Sequence, residues 1–319
     1  MVFLQTNRVP PHFGLSLRPS YTTWPALRAY GLLADTLGYD SLWASDHFIA
    51  GETDPDGPVF EGWQLLPAWG ALTSRIRIGL LVSGNTYRHP AVVAHMAATL
   101  DHITNGRAIL GLGASWFEYE HRVYGITFDS RNTRLAKLAE AAAIVRSLLD
   151  NTRTTFAGQY YQVTGAPCAP KPVQQHLPLM IGGGGERKTL RIVARYADLW
   201  NGFGSPETIA RKLAVLREHC AVVGRNPDEI IPTVSLVSIV RDDPAAVEVQ
   251  MRAIAAANPG DEVSLGPSGS VEDVARQLAA YWRVGVRGFI FDMPAPYDRE
   301  TVERLCCDVR PRLAMLING

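Results

Sequence analysis

The sequence predicts a single closed (β/α)8 barrel, and three features carry that expectation. Strand-like and helix-like patterns alternate eight times along the 319 residues, at intervals of about 30 residues. Chemically distinctive side chains cluster just past the strand patterns, where such barrels keep their chemistry. No linker composition divides residues 1–319, so one domain is expected. An open doubly wound sheet fits the same alternation and stays the competing arrangement.

Phe13 to Leu17 reads as the first strand, and Thr22 or Thr23 caps a helix over Trp24 to Leu37 that Gly38 stops. Ser41 to Ser45 is the second strand and runs directly into Asp46, His47 and Phe48. A Gly/Asp/Pro-rich loop, Gly51 to Pro58, precedes a helix from about Glu61 to Thr73. The third strand spans Ile76 to Val82; Asn85 to Pro90 is loop, and Ala91 to Leu100 is helical. Gly106 to Leu112 is the fourth strand, with Gly113, Ala114, Ser115 and Trp116 at its end. Leu135 to Leu149, rich in alanine and leucine, is a helix. Thr154 to Val173 breaks the rhythm. There TTFAGQYYQV sets β-forming residues around a glycine and APCAPKPV follows, so a hairpin insertion is expected over about 151–177. Strands resume at Pro178 to Ile181, Asp198 to Asn201, Ile231 to Val240 and Gly288 to Asp292. Helices occupy Glu207 to Val223, Ala245 to Ala256, Val271 to Val284 and Thr301 to Leu316.

Lysine plus arginine equal aspartate plus glutamate at 31 each, which argues against a general binder of nucleic acid or membrane surface. Cys168, Cys220, Cys306 and Cys307 form no CxxC and fit free thiols in a reducing cytoplasm. The opening MVFLQTNRVPPHF lacks a leader's apolar core, and no apolar run nears the roughly 18 residues a membrane helix needs.

The most informative stretch is LPLMIGGGGERKT, residues 177–189. Met180 and Ile181 end a buried strand, Gly182 to Gly185 turn the chain, and Glu186 is expected to open a helix. Free backbone amides at such a helix start make an anion pocket, and Arg187, Lys188 and Thr189 add charge and a hydroxyl. A tight turn needing glycine only for packing is the alternative. His47 can exchange a proton near neutral pH, and Asp46 beside it either orients it or caps the next turn. Gly111 to Ser115 are all small except Leu112, as a flat ligand or dense barrel packing would each require. Trp116 and Phe117 are candidates for the wall of a substrate pocket. His89, His95 and His102 read as structural. The eight histidines show no HxH or HExxH, so no metal site is expected. There is no GxSxG, so a hydrolytic nucleophile is not indicated.

Four blocks together resemble the luciferase-like monooxygenase superfamily, specifically its branch dependent on the deazaflavin coenzyme F420, which includes methylene-tetrahydromethanopterin reductase-like proteins. They are GYDSLWASDHF (38–48), EGWQLLPAWGALTSRIRIGLLVSGNTYRHPAVVA (61–94), LDHITNGRAILGLGASWFEYEHRVYGI (100–126) and LPLMIGGGGERKTLRIVARYADLWN (177–201). The resemblance implies a barrel with an insertion after strand four and cofactor phosphate at the glycine turn. It implies that Asp46 and His47 lie beside the reactive ring. It also implies that Val82, Ser83 and Gly84 form a bulge holding a non-proline cis peptide behind the ring. Asn85 and Thr86 would hydrogen-bond the cofactor, Gly113 and Ala114 would let the ring approach strand four, and Gly182, Gly183, Gly184 and Arg187 would hold phosphate. Relatives acting on sugar phosphates carry a carboxylate near the position of Trp116, with Glu118 and Glu120 here out of register, so a sugar-phosphate dehydrogenase is not expected.

The reading is a cytoplasmic oxidoreductase moving hydride between F420 and a small organic substrate, homodimeric as its relatives commonly are. Its rivals are a monooxygenase using reduced FMN and oxygen with a separate flavin reductase, a non-catalytic flavin-binding protein and, remotely, a metal-dependent barrel hydrolase.

Overall fold

The computed structural model describes residues 10–259 and 263–318. The N-terminal segment read above as lacking a leader lies mostly outside them. The chain begins with β1 (His12–Leu17), α1 (Trp24–Leu37), β2 (Ser41–Ala44), α2 (Gly62–Leu72), β3 (Arg77–Leu80), β4 (Ser83–Gly84) and α3 (Pro90–Ile103). It continues with β5 (Ala108–Gly113), α4 (Glu118–Val123), α5 (Arg131–Asp150), β6 (Thr154–Ala157) and β7 (Gln162–Ala166). Next come β8 (Leu179–Gly182), α6 (Thr189–Tyr196), β9 (Leu199–Gly202), α7 (Pro206–Val223), β10 (Ile231–Val240) and α8 (Pro244–Ala257). The last elements are β11 (Leu265–Gly269), α9 (Val271–Val284), β12 (Gly288–Met293), α10 (Arg299–Arg304) and α11 (Arg310–Asn318).

Parallel pairing runs β1–β2–β3–β5–β8–β9–β10–β12 and returns from β12 to β1. The ring therefore closes with eight strands, which excludes the open sheet. Its strands are buried on both faces, as helices outside and packed side chains inside require. Trp43, Ile109, Met180, Leu199 and Ile290 pack together as an inner cluster, while the larger core lies between strands and helices. Helix starts follow the sequence signals: Thr23, Ser205 and Ser270 each cap the first turn of their helix. His89 caps α3 through its ring, and His102 hydrogen-bonds the Lys171 carbonyl at 2.8 Å.

Four elements differ from the expectation. The third strand ends at Leu80, short of the Val82 that its pattern suggests, and resumes as β4; the cis Leu81–Val82 peptide between is the non-proline cis bond that the resemblance implies at this bulge. Glu186 does not open a helix, because residues 186–188 form a turn and α6 begins at Thr189. Helix α7 holds Glu186 in place, Arg211 pairing with its carboxylate at 3.0 Å and His219 donating to its carbonyl at 2.8 Å. The C-terminal helix is interrupted by a wider π-helical turn at Leu305–Val309. The short strand β11, pairing β10 outside the ring, carried no strong sequence pattern. Between α5 and β8, β6 and β7 form a separate antiparallel pair.

The break after Leu80 has a packing consequence. Val82 turns into space that side chains on β5 and β8 would otherwise fill: a Cβ at Gly113 would lie 2.6 Å from Val82 Cγ2, and one at Gly182 2.9 Å from it. A Cβ at Gly111 would lie 2.1 Å from the Leu80 carbonyl oxygen, a backbone atom with nowhere to go. The small residues of the fourth strand are thus required by barrel packing. Gly111→Ala is expected to lower stability on the order of 1–3 kcal/mol. Chemical denaturation checks this, and a variant as stable as wild type would contradict the close approach.

Candidate functional site

At the C-terminal ends of the barrel strands lies a cavity of about 980 Å³, at the top of the usual range for ligand pockets. Its lining comes from all eight strands of the ring and the loops that follow them, and includes Asp46, His47, Val82, Gly84, Gly113, Trp116, Phe117, Asn201 and Asp292. Gly182, Gly183, Gly184, Gly185 and Thr189 form another wall of the same space. The rim after β2 and the glycine turn therefore face one cavity.

Asp46 is almost fully buried, so its charge needs donors. One oxygen accepts from the Gly84 amide at 2.9 Å, the Ser83 hydroxyl at 3.0 Å and Arg88 at 2.7 Å. Arg88 also spans the second Asp46 oxygen at 3.1 Å and Glu61 at 2.6 Å. Asp46 therefore ties the end of β2 to β4. Ser83 in turn accepts from the Trp63 indole at 3.0 Å.

Asp46 and His47 both lie on the cavity, because β2 has ended at Ala44 and the strand rule of opposite faces no longer applies. His47 Nδ1 is 3.2 Å from Glu120 Oε2. Trp116 and Phe117 meet the His47 ring edge-on, with centroids 5.6 and 6.0 Å away. Trp116 is 71% exposed, so it stands at the mouth of the pocket. Glu120 is fully buried and accepts from the amides of Phe48 and Ile49 and from the Tyr87 hydroxyl as well as His47. Burial pushes the Glu120 carboxyl up, but the His47 contact, the Tyr87 hydroxyl and the Phe48 amide outweigh it and hold the carboxyl below its ordinary value. By sequence Glu120 stands out of register with the carboxylate of the sugar-phosphate relatives. Its signal lay in helical spacing: Phe117, Glu120, His121 and Tyr124 recur at i, i+3, i+4 and i+7.

The glycine turn is fixed by its neighbours. Gly183 has φ +121°, its amide donates to the Asn201 carbonyl at 3.1 Å, and its own carbonyl accepts from the Trp200 indole at 2.8 Å. The amides of Gly184 and Gly185 make no backbone hydrogen bond among the described residues. Lys212 of α7 reaches this turn, since a Cβ on Gly184 would fall 2.4 Å from its Nζ. That ammonium is buried, with a long 3.4 Å contact to the Phe203 carbonyl. Burial lowers the Lys212 pKa, and Arg211 adds to the shift. Arg131 and Arg134 of α5 also line the cavity, Arg131 approaching Gly185.

Several expected residues sit elsewhere. Arg187 is exposed and does not line the cavity; the cations that approach the turn are Lys212 and Arg131, while Arg134 lines the cavity and donates to the Ala114 carbonyl at 3.2 Å. Lys188 reaches Asn132 at 3.0 Å, and Lys171 binds carbonyls at the end of α5. Ser83, Asn85 and Thr86 lie behind the lining. Asn85 donates to Tyr161 at 3.2 Å, and the Thr86 hydroxyl is shared by Ser115 and His121 at 2.7 Å each. Gly113 leaves room for Val82, whose side chain forms part of the cavity surface. Across the cavity Arg18 pairs with Asp292 at 2.6 Å. Among the described residues no group of three or more His, Cys, Asp or Glu gathers to hold a metal ion, and no helix is long and apolar enough to cross a membrane.

Comparison with known proteins adds to this geometry. The profile described as luciferase-like monooxygenase matches residues 9–290. An F420-dependent glucose-6-phosphate dehydrogenase of Kineococcus radiotolerans is 34% identical over 224 residues, 69% of this chain and 65% of that protein. Its namesake from Amycolatopsis mediterranei is 26% identical over 90% of this chain and 94% of its own length. Among solved structures, an F420-dependent secondary alcohol dehydrogenase in complex with an F420-acetone adduct superposes with a TM-score of 0.82 at 19% identity, over 96% of this chain and 99% of that one.

Because the folded Glu120 carboxyl has a lowered pKa, its ionised form stabilises the protein above the ordinary value of 4.5, and that contribution is lost as pH falls through the folded value. Glu120→Gln is therefore expected to show a flatter acid limb than wild type in stability against pH. Parallel acid limbs would contradict the assignment.

Proposed function

We infer that this chain, which belongs to the luciferase-like monooxygenase family, is an oxidoreductase transferring hydride between the deazaflavin coenzyme F420 and a small organic substrate. The observation that carries the reading is one cavity bounded by a glycine turn with two amides lacking a backbone partner, by Arg131 and Arg134, and by His47, with the Lys212 ammonium beside the turn. The turn suits a phosphate and His47 a proton transfer.

The residues present fit such a cofactor. About 980 Å³ accommodates a tricyclic ring with its side chain, and Val82 offers an apolar surface for a ring face. The amides of Gly184 and Gly185, with Lys212, Arg131 and Arg134, would hold phosphate and the acidic chain beyond it. When bound, the deazaflavin supplies or accepts the hydride. Asp46 would keep β4 in the shape that presents Val82, and Trp116 and Phe117 would wall the substrate and exclude water. His47 would give or take the proton on the substrate oxygen. The cavity's other guanidinium near β1, Arg18, is neutralised by Asp292, which favours an uncharged substrate over a sugar phosphate. Four free cysteines, three of them buried, support a reducing cytoplasm as the location, and a homodimer is the expected form.

Titrating the purified protein with F420 and, separately, with FMN tests the cofactor. Tight F420 binding with weak FMN binding is expected; tight FMN binding without F420 binding would instead favour the oxygen-using monooxygenase. His47→Ala is expected to lose turnover about 10²–10⁴-fold while keeping cofactor affinity, as loss of a general acid or base requires. A protein with no turnover before or after the substitution would be a binding protein.

A further inference from the structure

Glu120 has no direct access to the cavity, yet it organises the side chain that does. Its two oxygens divide their donors. Oε1 accepts from the Phe48 and Ile49 amides, and Oε2 accepts from the Tyr87 hydroxyl and faces His47 Nδ1. A backbone amide can only donate, so Oε1 is committed. Oε2, on an ionised carboxylate, can only accept, so a proton on His47 Nδ1 is the arrangement that makes the 3.2 Å contact a hydrogen bond. The charged and titratable neighbours of His47 do not compete for that nitrogen. Asp46 is saturated by Arg88, Ser83 and Gly84; Arg88 is held between Asp46 and Glu61; and Tyr87 already donates to Glu120. Trp116 and Phe117 meet the ring in T-shaped contacts and have no side-chain acceptor that would compete with Glu120.

We propose that Glu120 is a positioning residue that fixes His47 as the Nδ1–H tautomer, leaving Nε2 bare as the nitrogen that faces the cavity. A bare Nε2 accepts a proton and cannot donate one. The neutral enzyme is therefore set to take the proton of a substrate hydroxyl or amine, and must first be protonated to act in the reverse sense. This rests on the reading of His47 as the group that exchanges a proton with substrate. The tautomer itself stands independently of any cofactor.

The substitution Glu120→Gln makes a sharp test because the pocket dictates how the amide sits. The Phe48 and Ile49 amides demand its oxygen, which turns its NH2 toward Tyr87 and His47. His47 Nδ1 must then accept, and the proton moves to Nε2. The experiment uses the full chain without cofactor, labelled with ¹⁵N-histidine, with long-range ¹H–¹⁵N correlations recorded on the neutral imidazole. His47→Gln identifies the His47 signals by their disappearance. Wild type is expected to show a protonated Nδ1 and a bare Nε2, and Glu120→Gln the reverse. With F420 and a substrate in hand, the same variant is expected to lose kcat on the order of 10²–10⁴-fold with little change in KM. A wild-type His47 carrying its proton on Nε2 would overturn the proposal, and that result does not depend on the Glu120→Gln protein folding. A folded Glu120→Gln protein whose tautomer is unchanged would overturn it equally. If F420 fails to bind while the tautomers behave as described, the cofactor reading fails and the role of Glu120 stands.

Discussion

One valine sets the shape of the cavity. Val82 sits where the third strand breaks, and its side chain occupies the room left by Gly111, Gly113 and Gly182 on the two neighbouring strands. A close-packed barrel offers no spare volume, so that intrusion is possible only where the strands give up their side chains. The same valine then forms part of the cavity surface beside Gly84 and the glycine turn. Packing inside the barrel and the surface offered to a ligand are consequences of the same substitution of glycine for bulk.

Two buried carboxylates hold the loops around that floor. Burying a charge is costly unless every lone pair finds a donor. Asp46 and Glu120 meet that demand from separate parts of the chain, drawing Ser83, Gly84 and Arg88 to one and Phe48, Ile49, Tyr87 and His47 to the other. Each thereby fixes a loop in register with the strand end it serves. The glycine turn follows a different logic. Its backbone is pinned by Asn201 and Trp200, the Gly184 and Gly185 amides are left without a backbone partner, and Lys212 brings positive charge beside Gly184.

Much of this was legible in the sequence because it follows from local pattern. Strand and helix periodicity, glycine stops and N-caps place the eight strands of the ring within a few residues, and the block at residues 177–189 marks the turn. What escaped depends on contacts distant in sequence. Lys212 lies on α7, and nothing in its neighbourhood announces that its ammonium reaches Gly184. Arg187, adjacent to the turn in sequence, was favoured by proximity, but it is exposed and outside the cavity. Glu120 was missed because register along the chain was weighed in place of helical spacing, and because its partners lie more than 30 residues away. Gly113 fits both a ligand and dense packing by sequence; it lines the cavity, and the break in strand three, invisible to periodicity, also sends Val82 against it.

The central claim is that the glycine turn and its cations grip the phosphate of a deazaflavin. The most direct measurement compares the affinity of the wild-type protein for F420 with its affinity for the same ribityl deazaflavin lacking the phosphate and the acidic chain. The truncated molecule is expected to bind at least about a hundredfold more weakly, since two or more charge-assisted hydrogen bonds are lost. That difference is expected to shrink when Lys212 is replaced by methionine. Equal affinity for the two molecules would contradict the claim.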